Sequence, residues 1–260
     1  MKKIRFIMIL LAGLMSAAAF SQGSDLKYKD DTASLKGYYV RAAVKQAKKA
    51  PSILIIHAWM GITEHEKTSA DRLGKLGYNV LVADIYGEGV HPAGAKEAGA
   101  LAGFYKKNYQ VYQSRIKAAL KALEAQGNEA GNVVVMGYCF GGTGALEAVR
   151  GGLPVKGVVS FHGGLGKDST RANVPVQAKV LVLHGADDPY VPANDVKQFQ
   201  QEMRDGKADW QMVYYANAVH AFTDPAAGTD NSKGAAYNKQ ADERSWKAML
   251  AFLEEVAGNK

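Results

Sequence analysis

Between residues 37 and 215 the chain alternates short apolar runs with longer stretches whose apolar residues recur every three or four positions. The runs at 52–57, 79–83, 132–136, 155–161 and 179–184 are rich in Val, Ile and Leu. A sixth at 210–215 is more polar, and 37–42 is an earlier candidate. Runs of this length suit strands buried on both faces, and hence a parallel sheet covered by helices. The intervals carry the helical patterns. One over 65–76 stops at Gly77, a C-cap signal. Tyr112, Ile116, Ala119, Leu120 and Leu123 share one helical face, as do Trp246, Met249, Leu250 and Leu253. Such stripes predict helices packed on the sheet. The alternation predicts an α/β fold with a mostly parallel, doubly wound sheet flanked by helices. The polar stretch up to Lys36 and the segments 87–103 and 224–234 read as lead-in, loops or lids.

The first residues follow a different logic. Lys2, Lys3 and Arg5 precede an apolar run over 6–14, and 16–21 are small or weakly polar. That layout predicts a signal peptide over residues 1–21, since the run is too short to span a bilayer. The expected exit lies after Ala19 or Ser21, with Ser21 chosen, leaving 22–260 as a single domain. The expected location is then periplasmic or secreted, with no stable membrane association after cleavage. The 260 residues carry a formal charge of +7, and losing those three cations leaves +4. With 47% hydrophobic and 22% charged residues, the chain has the composition of a globular protein. Its lysines are scattered, densest at Lys45, Lys48-Lys49 and Lys106-Lys107, with no basic stripe interleaved with aromatics. No nucleic-acid partner is expected. Neither Cys-x-x-Cys nor His-Glu-x-x-His spacing occurs, so no metal is expected.

The single cysteine is Cys139, so no internal disulfide can form. It lies in Gly137-Tyr138-Cys139-Phe140-Gly141-Gly142, between an apolar run and a helical stretch reaching Arg150. Gly-x-Cys-x-Gly on a strand-to-helix turn is the setting of a catalytic nucleophile. The backbone there is strained, and side chains two positions away would clash. The N-terminus of the following helix favours a thiolate.

The partners of such a nucleophile follow in the chain order acid, then histidine. The run at 179–184 leads into Gly185-Ala186-Asp187-Asp188-Pro189, and the run at 210–215 into Val219-His220-Ala221-Phe222. Asp188 and His220 are the candidates, at spacings that leave room for one strand–helix unit each. His57 and His184 end apolar runs and read as hydrogen-bonded packing. His162 ends another and receives no catalytic role. The oxyanion would be met by the backbone N–H groups of Phe140 and of Trp59, from the loop after the first buried strand.

Gly-Tyr-Cys-Phe-Gly-Gly, Leu-His-Gly-Ala-Asp-Asp-Pro-Tyr-Val-Pro and Val-His-Ala-Phe occur in this order, and Asp84-Ile85-Tyr86-Gly87 follows the second buried strand. In these motifs the chain resembles the dienelactone hydrolase family, the cysteine-nucleophile branch of the α/β-hydrolase fold, from about Gly37 to the C-terminal helix. The resemblance implies a Cys139–His220–Asp188 triad, an acyl-enzyme thioester, hydrolysis of a small lactone or carboxylic ester, and neither metal nor organic cofactor. Trp59, Tyr86 and Phe222 would make the pocket aromatic. Two positions depart from the family. Ala58 stands where it often has a Glu that contacts the thiol, with Glu64 and Glu66 nearby. Thr223-Asp224 stands where dienelactone hydrolases proper place a cation. The second departure favours neutral substrates over anionic ones. A thioesterase or acyltransferase of the same fold, or a non-catalytic small-ligand-binding protein, are the alternatives. A redox protein using Cys139 alone would need neither Asp188 nor His220.

Overall fold

The computed structural model describes residues 23–31, 33–44 and 50–258. The expected signal segment, residues 1–21, lies outside the described residues. The strands are β1 (Ser24–Lys29), β2 (Ser34–Val40), β3 (Ser52–Ile56), β4 (Val80–Ala83), β5 (Val133–Tyr138), β6 (Gly157–Phe161), β7 (Lys179–Gly185) and β8 (Trp210–Tyr215). They form one sheet in the order β1-β2-β4-β3-β5-β6-β7-β8. The pairs from β4 to β8 are parallel, whereas β2 runs antiparallel to both β1 and β4. This is the mostly parallel α/β-hydrolase sheet, and every apolar run read as a buried strand forms one. β3, β4, β5 and β6 are buried along their whole length, as parallel strands under two layers of helices must be.

The helices are α1 (Glu64–Lys75), α2 (Ala95–Lys107), α3 (Tyr109–Ala125), α4 (Phe140–Arg150), α5 (Ala193–Asp205) and α6 (Lys239–Val256). Apolar side chains of α2, α3, α4 and α5 form the core on one face of the sheet. Those of α1 and α6 form it on the other. The α3 stripe from Tyr112 to Leu123 is buried as its period predicts. On α6, Met249 and Leu253 are buried, while Trp246 is half-buried and takes the Arg72 guanidinium 3.6 Å from its ring centroid.

Two expectations need correction. The polar lead-in contains β1, an edge strand paired to β2 in register Ser24↔Tyr39 through Lys29↔Ser34. Its side chains are half-buried at best, so it has no apolar run to read. The presumed loop 87–103 is helical from Ala95. Its buried side, Ala98, Ala102 and Tyr105, is mostly alanine, and its N-cap Gly94 supplies no side-chain cap. In contrast, 224–234 is irregular, with short 3-10 turns at Pro225–Ala227 and Asn231–Lys233. Asp224 and Asp230 open these turns by accepting the N–H groups of Ala226 and Ser232.

Candidate active site

Cys139 sits between the end of β5 and the first residue of α4, with φ of 53°. A non-glycine residue there stores strain, and it persists only where the surroundings hold it. Here the surroundings are glycine-lined. A Cβ on Gly137 would collide with the Gly141 carbonyl, and one on Gly141 with the Ile56 carbonyl of β3. The start of α4 therefore lies directly on the sheet, and the thiol stands above its C-terminal edge. Crevices outside the carboxyl ends of parallel strands are where α/β sheets bind ligands.

β7 and β8 deliver the other two groups. Asp188 follows β7, and its carboxylate is withdrawn from solvent. One oxygen lies 2.8 Å from His220 Nδ1, and the other accepts the Tyr190 N–H at 2.9 Å. Asp187 is exposed, and its N–H donates to the Ala218 carbonyl at 3.0 Å. That bond, with the loop pressed on Gly185, seats the chain before His220. The segment after His220 returns to it. His220 donates its N–H to Gly234 at 3.2 Å, and Ala236 donates to the His220 carbonyl at 3.0 Å. The His220 ring is also hydrogen-bonded to the Cys139 thiol. The structure thus brings Cys139, His220 and Asp188 into one chain of contacts.

Their electrostatics are reciprocal. Burial opposes a charge on His220, but hydrogen bonds to Asp188 and Cys139 outweigh it and raise its pKa to about 10. Burial likewise pushes the Cys139 thiol up. The hydrogen bond and charge of His220, the Lys106 charge and the Phe140 N–H outweigh it, and the net shift is downward. Both shifts favour a thiolate–imidazolium pair.

The Phe140 N–H points at the Cys139 sulfur. The Trp59 N–H belongs to a loop held from several sides. Ala58 donates its N–H to Glu66 Oε1 at 2.9 Å, and the other Glu66 oxygen accepts Thr63 N–H and O–H at 2.9 and 2.7 Å. His57 Nε2 accepts the Ile85 N–H at 3.2 Å, so its Nδ1 carries the proton that meets the Ala58 carbonyl at 2.6 Å. Tyr86 donates its hydroxyl to the Trp59 carbonyl at 2.9 Å. Glu66, fully buried, is therefore committed to the loop and the α1 cap, while Glu64 is exposed beside Lys67. The motif Thr63-x-x-Glu66 is a capping box and was readable as such. Its second task, fixing Ala58, leaves no trace in spacing.

A cavity of about 660 Å³ opens over Cys139 and His220. Trp59, Met60, His65, Lys106, Tyr190 and Asp224 are among its walls. Trp59 and Asp224 lie where the sequence places them. Tyr86 and Phe222 do not line it. Tyr86 is packed behind the loop between His57 and Phe140, and Phe222 lies in the core against His162 and Tyr215. Both follow polar turns in sequence, and what buries them is tertiary packing. A cation does line the cavity: Lys106, from the last turn of α2, whose alanine-rich buried side gives no strong apolar period. His57 is hydrogen-bonded as expected. His184 packs edge-on to Tyr214, and its Nδ1 has no partner among the described residues. No group of three His, Cys, Asp or Glu among the described residues is arranged to hold a metal.

Residues 36–257 match the model of the dienelactone hydrolase family. The fold is similar to the solved structure of m3DLH, with a TM-score of 0.84 and 32% identity over 91% of this chain and 99% of that one. A dienelactone hydrolase-like promiscuous phosphotriesterase from metagenomic libraries gives a TM-score of 0.82 and 35% identity, over 90% and 98%. A probable 2-oxo-3-(5-oxofuran-2-ylidene)propanoate lactonase of a Bradyrhizobium species is 25% identical over 79% of this chain and 84% of its own.

Proposed function

The chain belongs to the dienelactone hydrolase family and is an ester-hydrolysing enzyme, and from that premise we propose that it opens a small lactone or cleaves a small carboxylic ester through a covalent thioester on Cys139. The observation that carries this reading is the continuous contact from Asp188 through the His220 ring to the Cys139 sulfur.

The steps follow from the charges. The Cys139 thiolate attacks the acyl carbon, and the carbonyl π electrons move onto oxygen. The N–H groups of Phe140 and Trp59 meet that oxyanion, each worth about 2.7–4 kcal/mol in such sites. When the intermediate collapses, the C–O bond breaks, and the proton on His220 goes to the leaving oxygen. The product is a thioester and a bound or departing alcohol. Neutral His220 then takes a proton from water, whose oxygen attacks the thioester. A second collapse returns the acid and the thiolate, with the proton again on His220. Asp188 holds the ring's tautomer and balances its charge throughout.

Lys106 and Asp224 give the pocket one charge of each sign. An acyl group with a carboxylate directed at Lys106 is therefore accommodated, contrary to the preference for neutral substrates that Thr223-Asp224 suggests on its own. The test is a hydrolysis screen of lactones, aryl esters and thioesters with the wild type and Cys139→Ala, each acid paired with its methyl ester. The expected result is turnover of a lactone or oxygen ester, with an acyl adduct on Cys139 in the mass spectrum at short times. Full activity of Cys139→Ala overturns the reading. Turnover of thioesters alone replaces it with the thioesterase alternative.

A further inference from the structure

We propose that His162 is a positioning residue that holds the nucleophile's main chain through its unprotonated Nδ1. The proposal deepens the reading above and rests on Cys139 being the nucleophile.

His162 directly follows β6, is fully buried, and has φ of 39°. Its ring reaches back to the nucleophile turn. The Cys139 N–H is shared between the Phe161 carbonyl at 3.0 Å and His162 Nδ1 at 3.2 Å. A backbone N–H can only donate, so Nδ1 must be the acceptor and the ring's proton lies on Nε2. That nitrogen is 2.8 Å from Thr223 Oγ1 and therefore donates to it. The Thr223 hydroxyl also lies 3.3 Å from His65 Nε2. The sense of donation is thus fixed from Cys139 N–H through His162 to Thr223, and the contacts continue to His65, a wall of the cavity.

The same ring touches the base. Its centroid lies 5.3 Å from that of His220, edge to face, and 5.0 Å from Phe222. A charged His162 would set one N–H against another at Cys139 and place a second cation beside protonated His220. Burial, reinforced by the charges of His220, His65 and His184, keeps its pKa well below the ordinary value. The acceptor is consequently retained as pH falls through the ordinary histidine range, where His220 carries its proton.

A nucleophile at positive φ depends on such ties. Turning the peptide before Cys139 would swing the sulfur away from both His220 and the Phe140 N–H. The His162 ring both accepts from that peptide and packs against the base. The ring nitrogens also play separable roles, which makes the proposal testable. Asparagine places an acceptor close to where Nδ1 lies and tolerates positive φ. Glutamine reaches toward Thr223 and leaves the Cys139 N–H without its side-chain acceptor.

The experiment compares wild type, His162→Asn, His162→Gln and Thr223→Val with p-nitrophenyl acetate. It also follows the iodoacetamide alkylation rate of Cys139 against pH. His162→Gln should lose about tenfold or more in kcat, equivalent to about 1.4 kcal/mol, with KM little changed. Its alkylation profile should move to higher pH as the sulfur leaves His220. His162→Asn should recover the larger part of both. Thr223→Val removes the partner that fixes the Nε2–H tautomer and should lie between. Equal losses in Asn and Gln, or an unshifted alkylation profile in Gln, would overturn the proposal. Should Gln fail to fold, an unaltered kcat in Thr223→Val does so instead. Activity in Cys139→Ala would remove the underlying reading. An inert Cys139→Ala with a fully active His162→Gln removes only this one.

Discussion

At the scale of single residues, two adjacent aspartates separate by what surrounds them. Asp188 is buried against His220, whereas Asp187 faces solvent and contributes only its N–H. Asp188→Asn keeps the shape but turns the histidine tautomer, which in a comparable triad costs about 10⁴ in kcat. We expect a loss of that order here and less than threefold for Asp187→Asn; comparable losses in steady-state kcat would contradict the assignment. The charge state of the pair has its own signature. The thiol's pKa is lowered, so its thiolate persists as pH falls below the ordinary thiol range. The pKa of His220 is raised to about 10, so its contribution is intact in acid and lost as pH rises through that value. The pair therefore exists from the lowered thiol pKa up to about 10 and titrates as a unit. Iodoacetamide should label Cys139 well below pH 8, where an unperturbed thiol of pKa about 8.5 is mostly protonated. In His220→Ala, burial loses its largest counterweight, with the Lys106 charge and the Phe140 N–H left, and the labelling curve should move to higher pH than in the wild type. Neither charge is readable from sequence. Gly-x-Cys-x-Gly and Asp-Pro locate the groups, but burial and contact decide their ionisation.

Among the elements, the loop after β3 shows how one sequence departure is absorbed. Ala58 offers no carboxylate to the thiol, and its N–H is taken by Glu66 from the first turn of α1. Glu66 satisfies three donors at once while closing the helix cap. Its loss should free the peptide that leads into the Trp59 N–H. A donor of that kind contributes about 10²–10³ in kcat. We predict that Glu66→Gln, which can still accept but brings an N–H against one of three donors, lowers kcat at least tenfold. Thr63→Ala, which removes the hydroxyl's contacts with Glu66 and with the His65 N–H but leaves Ala58 held, should cost less than fivefold. The reverse order would show that the α1 cap, not the loop, governs activity. The elements that escaped sequence reading share a physical cause. β1 is an edge strand with no buried run, and α2 buries mainly alanine, so neither has a strong apolar period. The second omission hid Lys106, and with it the charge balance of the pocket. By contrast, strands buried on both faces announce themselves, because nearly all their side chains are apolar, Ser52 and Ser160 being small exceptions.

Across the whole molecule, α4 is anchored at its far end from Cys139 by buried charges as well as by the apolar core. Arg150 forks onto Glu202 of α5 at 3.0 and 2.8 Å, reaches Glu147 at 3.2 Å, and donates to the Leu165 carbonyl at 2.7 Å. All three charged side chains are about 95% or more buried. Arg171 takes both oxygens of Glu147 at 2.9 Å and lies over the Tyr109 ring. The network thus ties α4, α5 and the segment between β6 and β7 into one body behind the Cys139 turn. Its apolar surroundings decide what a substitution does. Removing Arg150 alone strands Glu202 in the interior, which costs about 3–5 kcal/mol. For a protein of this size that lowers Tm by roughly 6–20 °C. Arg150→Lys should recover little, because one ammonium cannot span two carboxylates and a carbonyl. Lys167 lies only 3.6 Å from Glu202 but is tied to the Arg171 and Ala172 carbonyls, so it is a poor substitute. The double variant Arg150→Leu with Glu202→Leu removes the stranded charge and leaves Glu147 with Arg171. Calorimetry should therefore find it more stable than Arg150→Leu alone, since buried ion pairs replaced whole by apolar groups are often neutral. If the double variant is instead the less stable of the two, the pair itself and not the uncompensated charge carries the energy. The far end of α4 would then owe its place to that attraction.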